Sequence, residues 1–178
     1  MKKQAGFTLL ETMTVCVLAF ILFGIAIPAA NDGLEAARSA DARSKLLSSL
    51  TDAASRASIS GTKAVLCPSA DSFACDDTID WSLGWIVFMD RNGNREREPD
   101  EPLINAVQAL EGGVRMHSTV GRTRIVFQGN AGNAGSNVSF TQCDDRGPGK
   151  ARSLIMSNTG RLRDAPASEK AAQSICKK

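Results

Sequence analysis

The sequence predicts an α+β fold in which one long N-terminal helix packs on an antiparallel β-sheet. Two observations carry this prediction. Apolar residues run almost unbroken from 7 to 30 and then keep helical spacing to about residue 60, whereas beyond Gly61 the spacing shortens towards two and turn residues multiply. With 178 residues, the chain is long enough for one membrane-embedded helix and one globular domain.

The first helical segment, residues 7–30, contains a single charge, Glu11. As a helix, it would span about 36 Å, enough to cross the hydrocarbon core of a bilayer. Pro28 is tolerated in membrane helices, so the helix is predicted to continue through it. An unpaired carboxylate at membrane depth costs about 2.5 kcal/mol or more, so Glu11 is expected to find a partner outside this segment.

The second helical segment is amphipathic and is predicted to end at Ser60-Gly61, where glycine suits the left-handed cap position. Its apolar stripe, expected to pack on the sheet, consists of Leu46, Leu47, Leu50, Ala53, Ala54 and Ala57.

The remainder reads as short strands separated by polar loops. The predicted strands are residues 63–67, 84–89, 103–107, 114–117, 124–128, 138–142 and 153–157. The glycine-rich segment 129–135 lacks a lysine and a following helix, so it is predicted to be a flexible loop and not a phosphate-binding loop.

The N-terminal segment GFTLLE at residues 6–11, which follows Lys2 and Lys3, resembles the class III signal of type IV prepilins and type II secretion pseudopilins. The resemblance implies a pilin-like fold and cleavage by a prepilin peptidase after Gly6, with methylation of the new N-terminal Phe7. Residues 1–6 would then be the leader, 7–30 the transmembrane and assembly helix, and 31–178 the soluble head. Glu11 matches the assembly glutamate of the family, whose partner is the N-terminal amine of a neighbouring subunit.

An ordinary secretory signal is the competing interpretation, with Lys2 and Lys3 as its basic region and Pro28-Ala29-Ala30 as its cleavage site. It is disfavoured because Glu11 stands at the start of the apolar run and because that run exceeds the usual length of about 7–15 residues. A plain membrane anchor stays open, but it does not account for Gly6-Phe7.

Five cysteines are present, of which Cys16 lies in the membrane segment. If the head lies outside the cytoplasmic membrane, the other four are expected to be oxidised. Three pairings are possible, and we favour Cys67–Cys75 with Cys143–Cys176. Neither pair has zinc-ligand spacing and His117 is the sole histidine, so no metal or other cofactor is expected.

The charge is unevenly divided. Residues 1–113 carry 10 Lys and Arg against 15 Asp and Glu, a net −5, whereas residues 114–178 carry 11 against 4, a net +7. Such a basic module suggests an anionic partner. Arg161 and Arg163 are two residues apart, so on a strand both would project from one face, and guanidinium groups suit phosphates. The other candidate DNA-binding residues are Arg122, Arg124, Lys150 and Arg152. On residue pattern alone, solvated arginines at strand ends are an equal alternative.

A second motif, Gly160-Arg161-Leu162-Arg163, resembles the Gly-Arg-x-Arg element associated with DNA binding during natural transformation in FimT-type minor pilins. The resemblance implies a type IV pilus subunit that binds DNA without sequence specificity. Its partners would be other pilins, the peptidase, DNA and the inner membrane. Before assembly it would be a single-pass protein with a periplasmic head, and afterwards part of an extracellular pilus. The alternative is a GspH-like minor pseudopilin of a type II secretion system.

Two further functions are disfavoured by the sequence. Residues 90–101 place oxygens at calcium-loop spacing, but Arg95 stands where the turn requires glycine, so a hydrophilic hairpin loop is the favoured interpretation. No catalytic motif is evident, and His117 is expected to be a surface or half-buried residue, so the chain is not predicted to be an enzyme.

Overall fold

A single helix, α1 (Leu9–Ser60), occupies the first third of the chain in the computed structural model, which describes residues 6, 8–129 and 137–177. As predicted, it passes through Pro28. The Thr8 hydroxyl caps its start by accepting from the Glu11 N–H at 3.3 Å. Gly61 ends it at a φ of 68°. Residues 1–5, Phe7, residues 130–136 and Lys178 lie outside the described residues, so the predictions for the leader and for most of the glycine-rich segment 129–135 fall there.

The two halves of α1 differ in their surroundings. The apolar side chains up to Leu34 are exposed, and this is the described helix that is long and apolar enough to cross a membrane. From Ser39 onwards, one face is buried against the head. The prediction for Leu47 was wrong, since its side chain is 42% exposed. Neighbouring helical residues project about 100° apart, so Leu46 takes the buried position and Leu47 is turned away.

Eight strands follow α1 and form two antiparallel sheets. They are β1 (Lys63–Pro68), β2 (Trp85–Asp90), β3 (Leu103–Val107), β4 (Arg115–Ser118), β5 (Ile125–Phe127), β6 (Val138–Cys143), β7 (Arg152–Met156) and β8 (Leu162–Pro166). The first sheet has the order β3-β2-β1-β5 and the second β4-β6-β7-β8. The sequence predicted the first seven strands but missed β8 and a short C-terminal helix, α2 (Glu169–Cys176).

The main core lies between α1 and the inner faces of both sheets. Trp81 packs edge-on against Phe140 with ring centroids 5.0 Å apart. Trp85 is fully buried, and its indole N–H donates to the Ser49 hydroxyl at 3.0 Å. This bond explains why a serine occupies the buried face of α1, because the indole donor would otherwise lack a partner.

The short helix α2 packs on the outer face of the second sheet, against β4 and β6. Cys143 at the end of β6 is joined to Cys176 at the end of α2, and both belong to a small apolar cluster with Ala172 and Ile175. The second disulfide joins Cys67 to Cys75. Both are the pairings favoured from the sequence, and Cys16 is free and exposed.

A buried polar network fastens the head to α1. The Ser39 hydroxyl donates to the Asp144 carboxylate, and the Gln142 amide donates to the Ser39 carbonyl at 2.8 Å. Arg146 donates to the same carboxylate through Nε at 3.0 Å and Nη2 at 2.7 Å. Burial opposes the ionisation of Asp144, but the hydrogen bonds from Arg146 and Ser39 outweigh it and hold the pKa of that carboxyl below its ordinary value.

Asp144→Asn is expected to lower the free energy of unfolding at pH 7 by about 2–3 kcal/mol, because it removes the charge that satisfies Arg146. A carboxyl whose pKa is lowered by folding contributes stability above its unfolded pKa, about 3.9, and loses that contribution as the pH falls through the folded value. The wild type should therefore lose more stability between pH 6 and pH 3 than the variant.

Urea denaturation of the full chain in an uncharged detergent, at both pH values, measures this difference. Ser39→Ala is the matched control. It removes one hydrogen bond to Asp144, an expected loss of about 1 kcal/mol, but leaves the pair with Arg146 and hence most of the pH dependence. Equal pH dependence in the wild type and Asp144→Asn would show that this network does not govern acid stability.

Candidate functional site

Arg161 and Arg163 lie on a hairpin at the edge of the second sheet. The turn between β7 and β8 is closed by the Ser157 N–H, which donates to the Arg161 carbonyl at 3.0 Å, and by Gly160 at a φ of 80°. Both arginines are exposed, whereas Leu162 between them packs against the main core. The predicted alternation is therefore present, and both guanidinium groups project from the outer face of the sheet.

The outer face of the second sheet, from which these arginines project, also carries a lysine. Arg163 pairs with Ile155, which pairs with Ser139 on β6, and paired residues share a face. Ser139 lines a groove of about 440 Å³ beneath α2, whose Lys170 lines it too. Arg161, Arg163 and Lys170 therefore share the outer face of the second sheet, which we call the β8 face. Lys170 was not among the predicted residues because α2 was not predicted, although Ser168 followed by Glu169 is a helix-start signal.

Arg152 and Lys150 are placed differently. Arg152 shares the inner side of the strand with Leu154, and its guanidinium donates to Asp164 through Nε at 3.1 Å and Nη2 at 2.9 Å. The hydrogen bonds that Arg152 donates to Asp164 raise the pKa of Arg152, and the pair offers little net charge. Lys150 lies on a one-turn 3₁₀ helix, Pro148–Lys150, and is exposed.

Arg122 and Arg124 belong to the first sheet, at the loop that leads into its edge strand β5. Arg124 donates to the Asp77 carboxylate at 2.6 Å and to the Arg95 carbonyl at 3.1 Å. The Arg124 guanidinium holds the pKa of Asp77 below its ordinary value. The six basic residues that the sequence suggested therefore do not form one cluster on one sheet.

The loop between β2 and β3 is braced by its own carboxylates. The buried Asp90 accepts from the Gly93 N–H at 2.6 Å, and the buried Glu101 accepts from the Arg91 N–H at 2.7 Å. Within residues 8–129 and 137–177, no three acidic, histidine or cysteine side chains converge into a group that could hold a metal ion. The geometry is that of a hairpin loop whose acidic side chains bind its backbone.

The N-terminal motif has two features that bear on processing and assembly. A Cβ added at Gly6 would meet no atom within 4 Å, so nothing in the described fold requires glycine there. Glu11 is exposed at the third helical position after the Thr8 cap, a capping-box arrangement. Its carboxylate makes no hydrogen bond or ion pair with the described residues.

Comparisons with known proteins agree with this architecture. The family model described as type II transport protein GspH matches residues 42–160, and the model of the prokaryotic N-terminal methylation motif matches residues 1–27. The type IV minor pilin FimU of Pseudomonas aeruginosa has a similar fold in two crystal forms. One form gives a TM-score of 0.59 at 16% identity over 80% of this chain and 98% of FimU. The other gives 0.51 at 16% identity over 77% and 98%. No curated protein sequence matches the chain.

Proposed function

The chain belongs to the GspH family of type II transport proteins, and we propose that within it the chain acts as a FimT-like minor pilin of a type IV pilus. In this proposal, the pilus subunit binds DNA non-specifically through its basic C-terminal patch during natural transformation. The leader 1–6 is removed, the apolar half of α1 sits in the inner membrane before assembly, and the head lies in the periplasm. The methylation motif supports this placement.

One observation favours the β8 face as the DNA-binding surface. In the basic module, Arg115, Arg124, Arg146 and Arg152 each pair with a carboxylate. Arg161 and Arg163 are exposed and make no ion pair with the described residues, so their charge faces solvent. Guanidinium groups that are already exposed and unpaired can bind phosphate without first breaking an internal salt bridge.

The binding mode should be non-specific. The β8 face consists of the outer side of the second sheet, where α2 packs over β4 and β6, and no long exposed helix of the described head is available to enter a major groove. Contacts with phosphates position a protein on DNA but carry no sequence information. We propose that Arg161 and Arg163 make the principal contacts and Lys170 a third. Lys150, Arg122, Arg124 and Arg152 would then contribute mainly through their longer-range field.

The test is a salt titration of DNA binding by the full chain in an uncharged detergent. Three phosphate contacts predict a slope of about −3 in log K against log salt for duplex DNA, or about −2 for single strands. Arg161→Gln with Arg163→Gln should reduce the size of that slope by about 1–2 and weaken binding at every sequence tested. Fluorescence anisotropy on one labelled fragment measures both quantities.

The matched control is Arg43→Gln with Arg56→Gln, which removes two positive charges from α1 and leaves the β8 face intact. It should change the slope by far less than the test variant. Circular dichroism should show both variants folded. If the wild type fails to bind at low salt, or if the two double variants bind alike, the DNA-binding proposal is wrong.

The second candidate is a minor pseudopilin of a type II secretion system, whose head would contact other pseudopilins or secretion substrates. The description of the matching family, type II transport protein GspH, supports this candidate. A folded wild type without DNA binding would make this candidate the better one. Neighbouring genes for a pilus and competence, or for secretion, distinguish the two independently.

A further inference from the structure

A basic cavity lies on the first sheet, away from β8. It has a volume of about 370 Å³ and opens between the β2–β3 loop and the segment that precedes β5. Its charged lining consists of Lys63, Arg95, Arg122, Arg124 and Glu96, so four cations face one carboxylate. The volume falls in the lower part of the range usual for small-molecule sites, and the charge selects for an anion.

Two of these cations are not neutralised internally. Arg124 is held by Asp77, as described above, but the Lys63 ammonium and the Arg95 guanidinium form no ion pair with the described residues. With Asp77 and Glu96 included, the formal charges around the cavity sum to +2, and Lys63 and Arg95 supply two positive charges. A single carboxylate would leave half of that charge unmatched, whereas a phosphate group carries the charge and the acceptor oxygens to bind both cations at once.

The backbone around the cavity is arranged to present these two cations. Arg95 adopts a left-handed φ of 66°, a conformation that glycine takes far more readily. Its N–H is held by the Asp90 carboxylate at 3.3 Å and its carbonyl by Arg124 Nε at 3.1 Å. Lys63 Nζ lies so close to Gly93 that a Cβ there would be 3.1 Å from it. Gly93 itself has a left-handed φ of 83°, so the turn has glycine at one left-handed position and arginine at the other, where glycine would also fit best.

We propose that this cavity is a phosphate-binding site in which Lys63 and Arg95 are the principal ligands and Arg122 and Arg124 complete the basic wall. The left-handed conformation at position 95 is unfavourable for arginine. The presence of arginine there is explained if its side chain is needed to bind the phosphate. The phosphate could be supplied by a free polyphosphate or by the backbone of a nucleic acid, since both present the same oxygens.

Pyrophosphate is the probe, titrated by isothermal calorimetry into the full chain in an uncharged detergent at low salt. Arg95→Gly should weaken binding at least about tenfold, because it removes charge-assisted hydrogen bonds. The same change relieves the left-handed strain, so the melting temperature should be unchanged or higher. Lys63→Met should weaken binding by a similar factor. No binding by the wild type, or equal binding by Arg95→Gly and the wild type, would overturn the proposal.

The β8 face supplies the control, which also separates this site from the proposed DNA-binding surface. Arg161→Gln with Arg163→Gln should bind pyrophosphate as the wild type does, and a parallel loss in that variant would contradict a separate site. A short oligonucleotide added to this double variant identifies the source. Displacement of pyrophosphate would assign the cavity to a nucleic-acid phosphate, and binding that is unaffected would assign it to a free polyphosphate.

Discussion

Gly6→Val is expected to leave the chain uncleaved, with residues 1–6 still attached. The substitution should not disturb the fold, because a Cβ at this position meets no atom within 4 Å. A requirement for glycine would therefore come from an external protein, which we propose is the prepilin peptidase that cuts after Gly6 and methylates Phe7. Cleavage should be almost completely abolished, since every molecule of the variant carries the valine side chain next to the bond that is to be cut. Mass spectrometry of the N-terminus distinguishes the precursor from the methylated product.

Glu11 should matter at the later step of assembly. Glu11→Gln is the informative variant because glutamine keeps the capping-box pattern that begins with Thr8, whereas it removes the negative charge. The protein should be cleaved normally and remain in the membrane but enter fibres poorly, since the carboxylate can no longer attract the amine of a neighbouring subunit. Normal assembly of Glu11→Gln would contradict a role for the negative charge in assembly. In the wild type, a mature N-terminus at Asn31 and not at Phe7 would identify an ordinary signal peptide.

Predictions from the sequence were most accurate where the conformation depends on residues that are close together in the chain. The continuity of α1 through Pro28, its end at Gly61 and the alternation of Arg161, Leu162 and Arg163 all follow from the properties of neighbouring residues. The buried face of α1 was predicted less well. Helical spacing could not decide between Leu46 and Leu47, because that choice depends on how the sheets approach the helix.

Which of the candidate arginines pair with a carboxylate and which stay exposed could not be predicted. These pairs join residues that are far apart in the sequence. Asp77 is 47 positions from Arg124, and only the folded first sheet brings them together. Arg152 meets Asp164 across the β7–β8 hairpin, and β8 was itself missed. The strand Leu162–Pro166 is short and includes an aspartate and a proline, so its strand signal in the sequence is weak. Both residues are tolerated because β8 lies at the edge of the sheet.

Some errors were avoidable. Ser168 accepts a hydrogen bond from the Ala171 N–H, which is a standard N-cap, and the following residues up to Cys176 favour a helix. Recognising α2 would have added Lys170 to the candidate site. Arg95 was noted from the sequence only as a departure from the glycine of a calcium loop, yet it adopts the left-handed conformation that glycine would take there, which singles out the arginine for another role.

Replacing Cys143 and Cys176 by serine is expected to destabilise the head by about 3–4 kcal/mol, whereas replacing Cys67 and Cys75 should cost about 2–3 kcal/mol. The chain-entropy argument gives the larger value to the pair that closes the longer loop, at sequence separations of 33 and 8. An isolated helix as short as α2, with eight residues, is not stable, so losing its covalent anchor should also fray it and displace Lys170 from the β8 face.

Urea denaturation of the full chain should therefore rank the two serine variants in that order, with Cys16→Ser, the exposed free thiol, close to the wild type. The Cys143 and Cys176 variant should also lose about one phosphate contact from its salt slope on DNA, because Lys170 is no longer held on the outer face of the second sheet. The Cys67 and Cys75 variant should keep the wild-type slope, since its disulfide lies on the first sheet. Equal losses of stability with an unchanged slope in both would mean that α2 stays docked without its disulfide. The apolar contacts of Ala172 and Ile175 would then suffice to position the C-terminal surface.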